Sequence, residues 1–325
     1  MLTDSFGRHH RYLRISVTDR CNFRCVYCMP QDGMSWMPKN DILSYEEITR
    51  LVGVFAKMGI ESIRISGGEP TIRADITQLI SSLSEIEGIT DLSMTTNGHT
   101  LEKMSVELAE AGLNRINLSI DTLKKDRFKK LTRGGNLDRV LRGLDKALAA
   151  GIQPIKLNAV LLRGENEDEI LDLVHFASEF NGKVQLRFIE YMPFESRWYQ
   201  CVPAKEVQQI INVIHPMEAQ TINTGLGPSR DFYLPTLGVT VGFISPLSQK
   251  FCSSCNRLRL MADGHLRTCL AHEDTPSLRD IIRNSDNDEQ VSKQIRALVL
   301  GKPEGHGCDV KGGKNFEGIM TRIGG

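Results

Sequence analysis

Three cysteines lie close together early in the chain. Cys21, Cys25 and Cys28 follow the spacing C-x3-C-x2-C, and Tyr27 directly precedes the last of them. Three thiolates are one short of the four that complete a tetrahedral zinc site or occupy every iron of a [4Fe–4S] cluster. A cluster held by three thiolates keeps one iron open, and an open metal position can bind a reacting molecule. The spacing therefore favours a catalytic iron–sulfur site over the alternatives, which are half of a zinc motif or three unrelated thiols.

A second group of three cysteines, Cys252, Cys255 and Cys269, lies much later in the chain. A C-x2-C pair is common in zinc sites, but zinc would need a fourth ligand such as His265 or His272. The spacing alone leaves zinc and a second iron–sulfur cluster equally open.

Two arginines follow the C-x2-C pair. Arg257 and Arg259 alternate along a predicted strand, so both side chains leave the same face. Arginine binds phosphate through two parallel hydrogen bonds and stays charged. We interpret the pair as part of a site for a phosphate-bearing ligand; the alternative is a solvated pair on an edge strand.

Segments of strand character alternate with amphipathic helical segments through the first part of the chain. The predicted strands cover residues 11–18, 62–66, 92–96, 115–120, 155–160 and 184–189. This alternation predicts parallel strands joined by right-handed crossovers. Six units are too few for a closed eight-stranded barrel. The predicted fold is therefore α/β, an open partial (β/α)6 TIM-like barrel, with the first cysteine loop at the C-terminal end of its first strand.

The pattern changes after about residue 214, where short strands and turns replace the βα units. We predict a partial barrel over residues 1–214 and a smaller C-terminal α+β metal-cluster domain over 215–325. Two short helices are predicted near 276–283 and 287–298, and the Gly- and Lys-rich stretch from residue 301 onward is predicted to be a mobile tail.

Composition excludes several classes of protein. The 325 residues contain 40 Lys and Arg and 40 Asp and Glu, a balance that argues against a broad surface for nucleic acid or membrane. The sequence contains no apolar run of the ~18–20 residues that a membrane span needs. The N-terminus has no apolar segment typical of a signal peptide. Cysteines grouped in threes suit metal binding in a reducing, cytoplasmic compartment better than disulfides.

Longer motifs around these residues resemble the GTP 3′,8-cyclase family of the radical S-adenosylmethionine (SAM) superfamily, which opens molybdenum cofactor biosynthesis. The matching segments are Asp4–Arg8, Leu13–Asn22, Ile65–Pro70, Thr95–Gly98, Leu118–Asp121, Arg187–Pro193, Phe251–Arg259 and Ile323–Gly325. The first cysteine motif is shared by a large superfamily. The second triplet with its two arginines and the double-glycine end are more specific.

The resemblance implies a role for each matching residue. The first three cysteines would hold a [4Fe–4S] cluster, and the second three would hold another whose open iron binds the guanine of GTP. Four residues would contact SAM: Tyr27, Gly68, Ser119 and Met192. Six would surround GTP: Arg14, Arg64, Thr95, Lys156, Arg257 and Arg259. Gly324 and Gly325 would reach into the active site beside the two catalytic arginines.

The implied reaction is a radical cyclisation. A 5′-deoxyadenosyl radical would remove the 3′ hydrogen of GTP, and C3′ would then attack C8 to give (8S)-3′,8-cyclo-7,8-dihydro-GTP after one-electron reduction and protonation. The implied partners are a low-potential electron donor, a downstream cyclic pyranopterin monophosphate synthase and a second copy of the chain. Two remaining cysteines have no site: Cys201 is interpreted as structural and Cys308 as a free thiol.

Two rival functions remain. One is a radical SAM enzyme with an auxiliary cluster that modifies a peptide or RNA; the Arg257 and Arg259 pair and the balanced charge speak against it. The other is a non-catalytic, zinc-stabilised binding protein on the same barrel.

Overall fold

The computed structural model describes residues 1–30, 34–192, 200–220, 226–272 and 276–307. The strands are β1 (Leu2–Thr3), β2 (His9–His10), β3 (Tyr12–Ser16), β4 (Ser62–Ser66), β5 (Asp91–Thr96), β6 (Arg115–Ser119), β7 (Ile155–Leu161), β8 (Val184–Glu190), β9 (Glu218–Ala219), β10 (Arg230–Leu234), β11 (Val239–Ile244), β12 (Arg257–Leu260) and β13 (Leu266–Arg267). The α-helices are α1 (Tyr45–Lys57), α2 (Ile76–Ser84), α3 (Leu101–Glu110), α4 (Lys125–Thr132), α5 (Leu137–Ala149), α6 (Ile170–Ser178), α7 (Ala204–Ile214), α8 (Leu278–Asn284) and α9 (Asp288–Leu300).

One large sheet organises the molecule. Its strand order is β13-β12-β3-β4-β5-β6-β7-β8-β11-β10-β9. The predicted parallel strands are confirmed as β3 to β8, which lie side by side in chain order. The two ends of the sheet, β13 and β9, do not pair with each other in the described residues. The sheet is therefore open, as expected for a partial TIM-like barrel.

Strands from the C-terminal part of the chain extend this sheet at both edges. The strand β12 pairs in parallel with β3, and β11 pairs in parallel with β8. The predicted division into residues 1–214 and 215–325 thus stays a prediction about folding units, because the hydrogen-bonded sheet is continuous across it.

Local sequence signals explain the helix boundaries. At α1 the Ser44 side chain accepts a hydrogen bond from the Glu47 N–H at 3.2 Å, and the Glu47 carboxylate accepts one from the Ser44 N–H at 2.7 Å. This reciprocal capping satisfies two amides that the helix itself leaves unpaired. The helices predicted near 276–283 and 287–298 correspond to α8 and α9. None of the described helices is long and apolar enough to cross a membrane.

The central strands separate apolar from polar side chains. In β3, Leu13 and Ile15 are fully buried in the same core as the α1 side chains, whereas Arg14 between them lines a cavity inside the curved sheet. The strand β4 repeats the alternation in register, with Arg64 opposite Arg14. Closed TIM barrels fill this interior with branched apolar side chains. Here the interior is polar, and it encloses a binding cavity.

Candidate active site

Both cysteine triplets line one cavity of about 340 Å³ within the curved sheet. The lining includes Cys21, Cys25, Cys28, Cys252, Cys255 and Cys269. None of these six cysteines forms a disulfide. The two groups are thus brought to a common space although more than two hundred residues separate them in the chain.

The first triplet sits on a loop that follows β3. The backbone N–H groups of Arg24 and Val26 donate to the carbonyls of Thr132 and Leu131 at 3.0 and 2.9 Å, which fixes the loop against the end of α4. Burial raises the pKa of the Cys21 thiol to about 12. A metal ion that these thiols bound would deprotonate them despite their burial.

The four predicted SAM contacts all line the cavity: Tyr27, Gly68, Ser119 and Met192. The Tyr27 hydroxyl donates to Asp121 Oδ2 at 2.6 Å, and Asp121 Oδ1 accepts from the Val160 N–H at 2.9 Å. Burial raises the pKa of Asp121 to about 6. Asp121 thereby orients the tyrosine next to the first triplet, a role that the sequence motif did not reveal.

Gly68 makes a close backbone approach. A Cβ at this position would lie 2.0 Å from the Arg20 carbonyl oxygen. The absence of a side chain therefore lets the turn after β4 pack directly on the residue that precedes Cys21. This gives Gly68 a structural reason beside its predicted contact with SAM.

The second triplet lines the same cavity next to β12. Burial raises the pKa of the Cys255 thiol, but the positive charges of Arg257 and Lys302 outweigh it, and the pKa falls to about 7. Among the histidines considered as zinc ligands, His265 forms an ion pair with Asp263, with Nδ1 3.0 Å from Oδ1. Neither His265 nor His272 lines the cavity.

The histidine beside the second triplet is His306, which does line the cavity. Its Nε2 lies 2.9 Å from the Pro246 carbonyl oxygen, and its side chain contacts Cys252. Lys302 and His306 are both buried, so this part of the chain packs against the barrel. The mobility predicted from residue 301 onward stays a prediction.

A row of arginines crosses three neighbouring strands. Arg259 of β12 pairs in register with Arg14 of β3, which pairs with Arg64 of β4. All three line the cavity together with Thr95 and Arg257. The strand β12 lies between β13 and β3, so the alternative of a solvated arginine pair on an edge strand is wrong.

Burial and mutual repulsion act on these cations. The pKa of Arg259 falls to about 10, first through burial and then through the charge of Arg257. The pKa of Lys156 falls to about 7 through burial and the charges of Arg187, Arg115 and Arg64. Lys156 itself does not line the cavity, so its predicted contact with a ligand would require the neighbouring side chains to move.

Arg187 is a cavity residue to which the sequence assigned no role. It belongs to β8, is 5% exposed and has a pKa lowered to about 10 by burial and the charge of Arg64. The Arg187–Pro193 motif could have indicated a functional role for Arg187, but a single charged residue in a strand does not by itself distinguish a ligand contact from an ordinary surface charge.

Several buried polar atoms on the cavity face of the sheet have no hydrogen-bond partner in the described residues. They are Arg14 Nε, Asn117 Nδ2 and Oδ1, Asn158 Oδ1, Gln185 Oε1, Arg187 Nε and one Arg259 terminal nitrogen. Buried polar groups are normally hydrogen-bonded. The cavity face is therefore built for a polar and anionic ligand.

Two further predictions concern the double-glycine end and the two cysteines without an assigned site. Gly324, Gly325 and Cys308 lie outside the described residues. Cys201 is 6% exposed and packs with Leu247, in agreement with a structural role.

Comparisons with known proteins agree with this geometry. Residues 15–177 match the radical SAM superfamily, and residues 184–308 match the family described as Molybdenum Cofactor Synthesis C. Among solved structures, SuiB of Streptococcus suis bound to S-adenosylmethionine has a TM-score of 0.61 at 18% identity, covering 94% of this chain and 74% of SuiB. The chain thus belongs to the radical SAM superfamily, and this membership implies SAM and a [4Fe–4S] cluster.

Sequence relatives narrow the class. The chain is 42% identical to the GTP 3′,8-cyclase of Listeria monocytogenes serovar 1/2a over 96% of this chain and 93% of that protein. It is 44% identical to Molybdenum cofactor biosynthesis protein 1 of Drosophila melanogaster over 94% of this chain, but spans only 54% of that longer protein. Within the radical SAM superfamily, the chain belongs to the GTP 3′,8-cyclase family.

Proposed function

We propose that the protein is a radical SAM GTP 3′,8-cyclase that acts in molybdenum cofactor biosynthesis. The observation that carries the proposal is the row of half-buried arginines in the same cavity as both cysteine triplets; two of these arginines, Arg14 and Arg259, have buried donors without a partner in the described residues. A triphosphate supplies the negative charge and the acceptors that these donors lack. A peptide or RNA substrate explains the row less well, and the likeness to SuiB concerns the fold alone.

The residues present fit the expected cofactors. Cys21, Cys25 and Cys28 would hold the first cluster, with SAM beside Tyr27 and Gly68. When bound, the cluster and SAM would supply the 5′-deoxyadenosyl radical that removes the 3′ hydrogen of GTP; attack of C3′ on C8, followed by one-electron reduction and protonation, would then give (8S)-3′,8-cyclo-7,8-dihydro-GTP. The protein binds and orients both molecules and excludes water around them.

The chain's own cations would hold the nucleotide. Arg14, Arg64 and Arg259 form the row that faces the phosphates, and Thr95 and Arg257 complete the predicted set. We add Arg187 to this set because its guanidinium is buried and its Nε has no hydrogen-bond partner in the described residues. Lys156 adds positive charge beneath the cavity surface, and contact by Gly324 and Gly325 stays a prediction.

The second triplet is proposed to hold another [4Fe–4S] cluster. Neither His265 nor His272 lines the cavity, so the two histidines that the spacing offered as a fourth zinc ligand are not beside the thiols. His306 contacts Cys252 and is, in the described part of the chain, the one histidine beside the triplet that could complete a zinc site. A cluster is proposed over zinc on the basis of family membership, and a count of bound iron distinguishes the two.

Three partners are proposed from family membership. A low-potential protein would supply electrons, and a cyclic pyranopterin monophosphate synthase would consume the product. Association of two copies of the chain is proposed on the same basis, and sedimentation of the loaded enzyme would measure it.

A labelled turnover tests the proposed activity. The protein is loaded with iron and sulfide without oxygen, then given SAM, reductant and GTP deuterated at C3′. We expect deuterium in the released 5′-deoxyadenosine together with loss of GTP, and no 5′-deoxyadenosine from the Cys28→Ala variant. Unlabelled 5′-deoxyadenosine with intact GTP would refute GTP as the substrate.

A second variant separates the two metal sites. We expect Cys269→Ala to release 5′-deoxyadenosine without cyclising GTP, because its first triplet is intact. The wild-type chain should bind about eight irons if both triplets hold [4Fe–4S] clusters. Full product formation by Cys269→Ala would remove the second site from the reaction.

A further inference from the structure

Lys302 is buried beside the second triplet without a carboxylate partner. The residue is 3% exposed, and its Nζ lies 3.6 Å from Cys255 Sγ and 2.7 Å from the Arg257 carbonyl oxygen. No Asp or Glu in the described part of the chain forms an ion pair with it. A buried ammonium is stabilised by an opposite charge nearby, and the Cys255 sulfur, as a thiolate, is the group placed to supply it.

The protein fixes this lysine from a distant part of the chain. The Arg8 guanidinium donates to the carbonyls of Pro303, Glu304 and Cys252 at 2.7, 2.9 and 2.9 Å. Arg8 Nε in turn donates to the Asp4 carboxylate at 2.6 Å. The N-terminal hairpin of β1 and β2 therefore ties the segment after α9 to the loop that carries the second triplet.

We propose that Lys302 is the positioning and charge-compensating residue of the second metal site, and that it raises the reduction potential of the cluster held there. This inference rests on the proposed iron–sulfur nature of that site. Reduction adds negative charge to a cluster, and a fixed ammonium next to a ligating sulfur stabilises the reduced form more than the oxidised form. Hydrogen bonds to the sulfurs and net charge are known to set cluster potentials.

The same ammonium also fixes where the cluster stands. Through the Arg257 carbonyl, Lys302 links Cys255 to the first residue of β12, the strand that carries Arg257 and Arg259. Because only Asn256 separates Cys255 from Arg257, the same ammonium contacts both a proposed metal ligand and the start of the strand that carries the proposed phosphate-binding arginines.

The test uses the full chain with the first triplet replaced by alanines, so that only the second site binds iron. Three variants are compared in this background: Lys302→Met, which removes the charge; Lys302→Arg, which keeps it; and Lys250→Met. Lys250 is a matched control because it is an exposed lysine two residues before Cys252. Each protein is loaded without oxygen, its iron is counted, and its potential is measured by titration followed by electron paramagnetic resonance.

We expect Lys302→Met to retain about four irons and to be at least about tenfold harder to reduce, a shift of 59 mV to more negative potential for one electron. The potential of Lys250→Met should match that of the parent, and Lys302→Arg, which keeps the charge, should have a potential close to that of the parent. If Lys302→Met loses its iron while Lys302→Arg keeps it and both melt at the same temperature, charge compensation by Lys302 is also supported.

Two results would overturn the inference, and they differ. A four-iron centre with the same potential in Lys302→Met and Lys250→Met would refute the role of Lys302 while leaving the proposed cluster intact. Zinc or no metal in the parent background would refute the second cluster itself, and the role of Lys302 with it.

Discussion

Replacement of Gly68 by alanine should disable the first metal site through backbone packing. The Gly68 N–H donates to the Thr18 carbonyl at 2.7 Å, and the next N–H donates to the Arg20 carbonyl at 2.8 Å. An added Cβ would lie 2.0 Å from that carbonyl oxygen and 2.5 Å from its carbon. Ordinary contacts are about 3.5 Å, so the two backbones must separate by about 1.5 Å. Arg20 directly precedes Cys21, so the displacement reaches a metal ligand.

The magnitude follows from this displacement. Overpacking of this kind costs about 3 kcal/mol of folding free energy. A shift of about 1 Å in a reacting group costs about 100-fold in rate. We therefore expect Gly68→Ala to release 5′-deoxyadenosine from SAM at least about 100-fold more slowly than wild type, with a lower free energy of unfolding.

The matched control is Gly53→Ala. Gly53 lies inside α1, and a Cβ there would have nothing within 4 Å. Alanine should stabilise this helix by up to about 1 kcal/mol and leave SAM cleavage unchanged. Iron content, denaturant unfolding and 5′-deoxyadenosine release are measured for both variants. Wild-type release by a fully loaded Gly68→Ala protein would refute the reasoning, because it would mean that the Arg20 carbonyl can move away from the glycine without disturbing Cys21.

Two further predictions concern buried charges. We expect Arg187→Met to weaken GTP binding about 10- to 100-fold, which corresponds to the loss of one or two charged hydrogen bonds. The ligand-free variant should melt at the same or a higher temperature, because a buried cation is removed. Calorimetry and thermal melting measure both effects, with Arg230→Met on the exposed end of β10 as the control, and an unchanged GTP affinity would contradict the prediction. For Asp121, burial raises the pKa to about 6 from 3.8, so the folded state holds the proton more tightly and stability is lost as pH rises between these values. The loss amounts to about 3 kcal/mol at most, and Asp121→Asn should remove it; an identical pH dependence of the free energy of unfolding in both metal-free proteins would argue against the raised pKa.

Periodicity predicted the parallel strands because successive side chains of each strand face the apolar core and the polar cavity in turn. Leu13 must pack under α1, and Arg14 must face the cavity, so the local sequence records both environments. The helix α4 was not predicted, since its sequence KDRFKKLT is mostly charged and buries only Phe128, Leu131 and Thr132. Its stability comes from packing, which a short window of sequence does not reveal.

The contacts that complete the site are long-range and therefore invisible to local patterns. Arg8 bonds to Cys252 and Glu304, which are 244 and 296 residues away in the chain. Lys302 and Arg187 each resemble any other charged residue in the sequence. Only the folded chain shows that Lys302 is buried against the sulfur of Cys255, a proposed metal ligand, and that Arg187 lies within a group of cations.

The charge of the cavity gives a physical account of why the site needs its ligands. Arg259, Arg14 and Arg64 occupy paired positions on adjacent strands, and adjacent strands are about 5 Å apart. The charges of Arg259 and Arg64 accordingly help to lower the pKa of Arg14, after the larger effect of its burial. Folding without ligand must therefore overcome this repulsion, and a bound triphosphate turns each repulsion into an attraction to a shared anion. Arginines so placed would be selected against in a protein that only needed a stable barrel, so their presence argues for a site whose strongest interactions form with a polyanionic substrate.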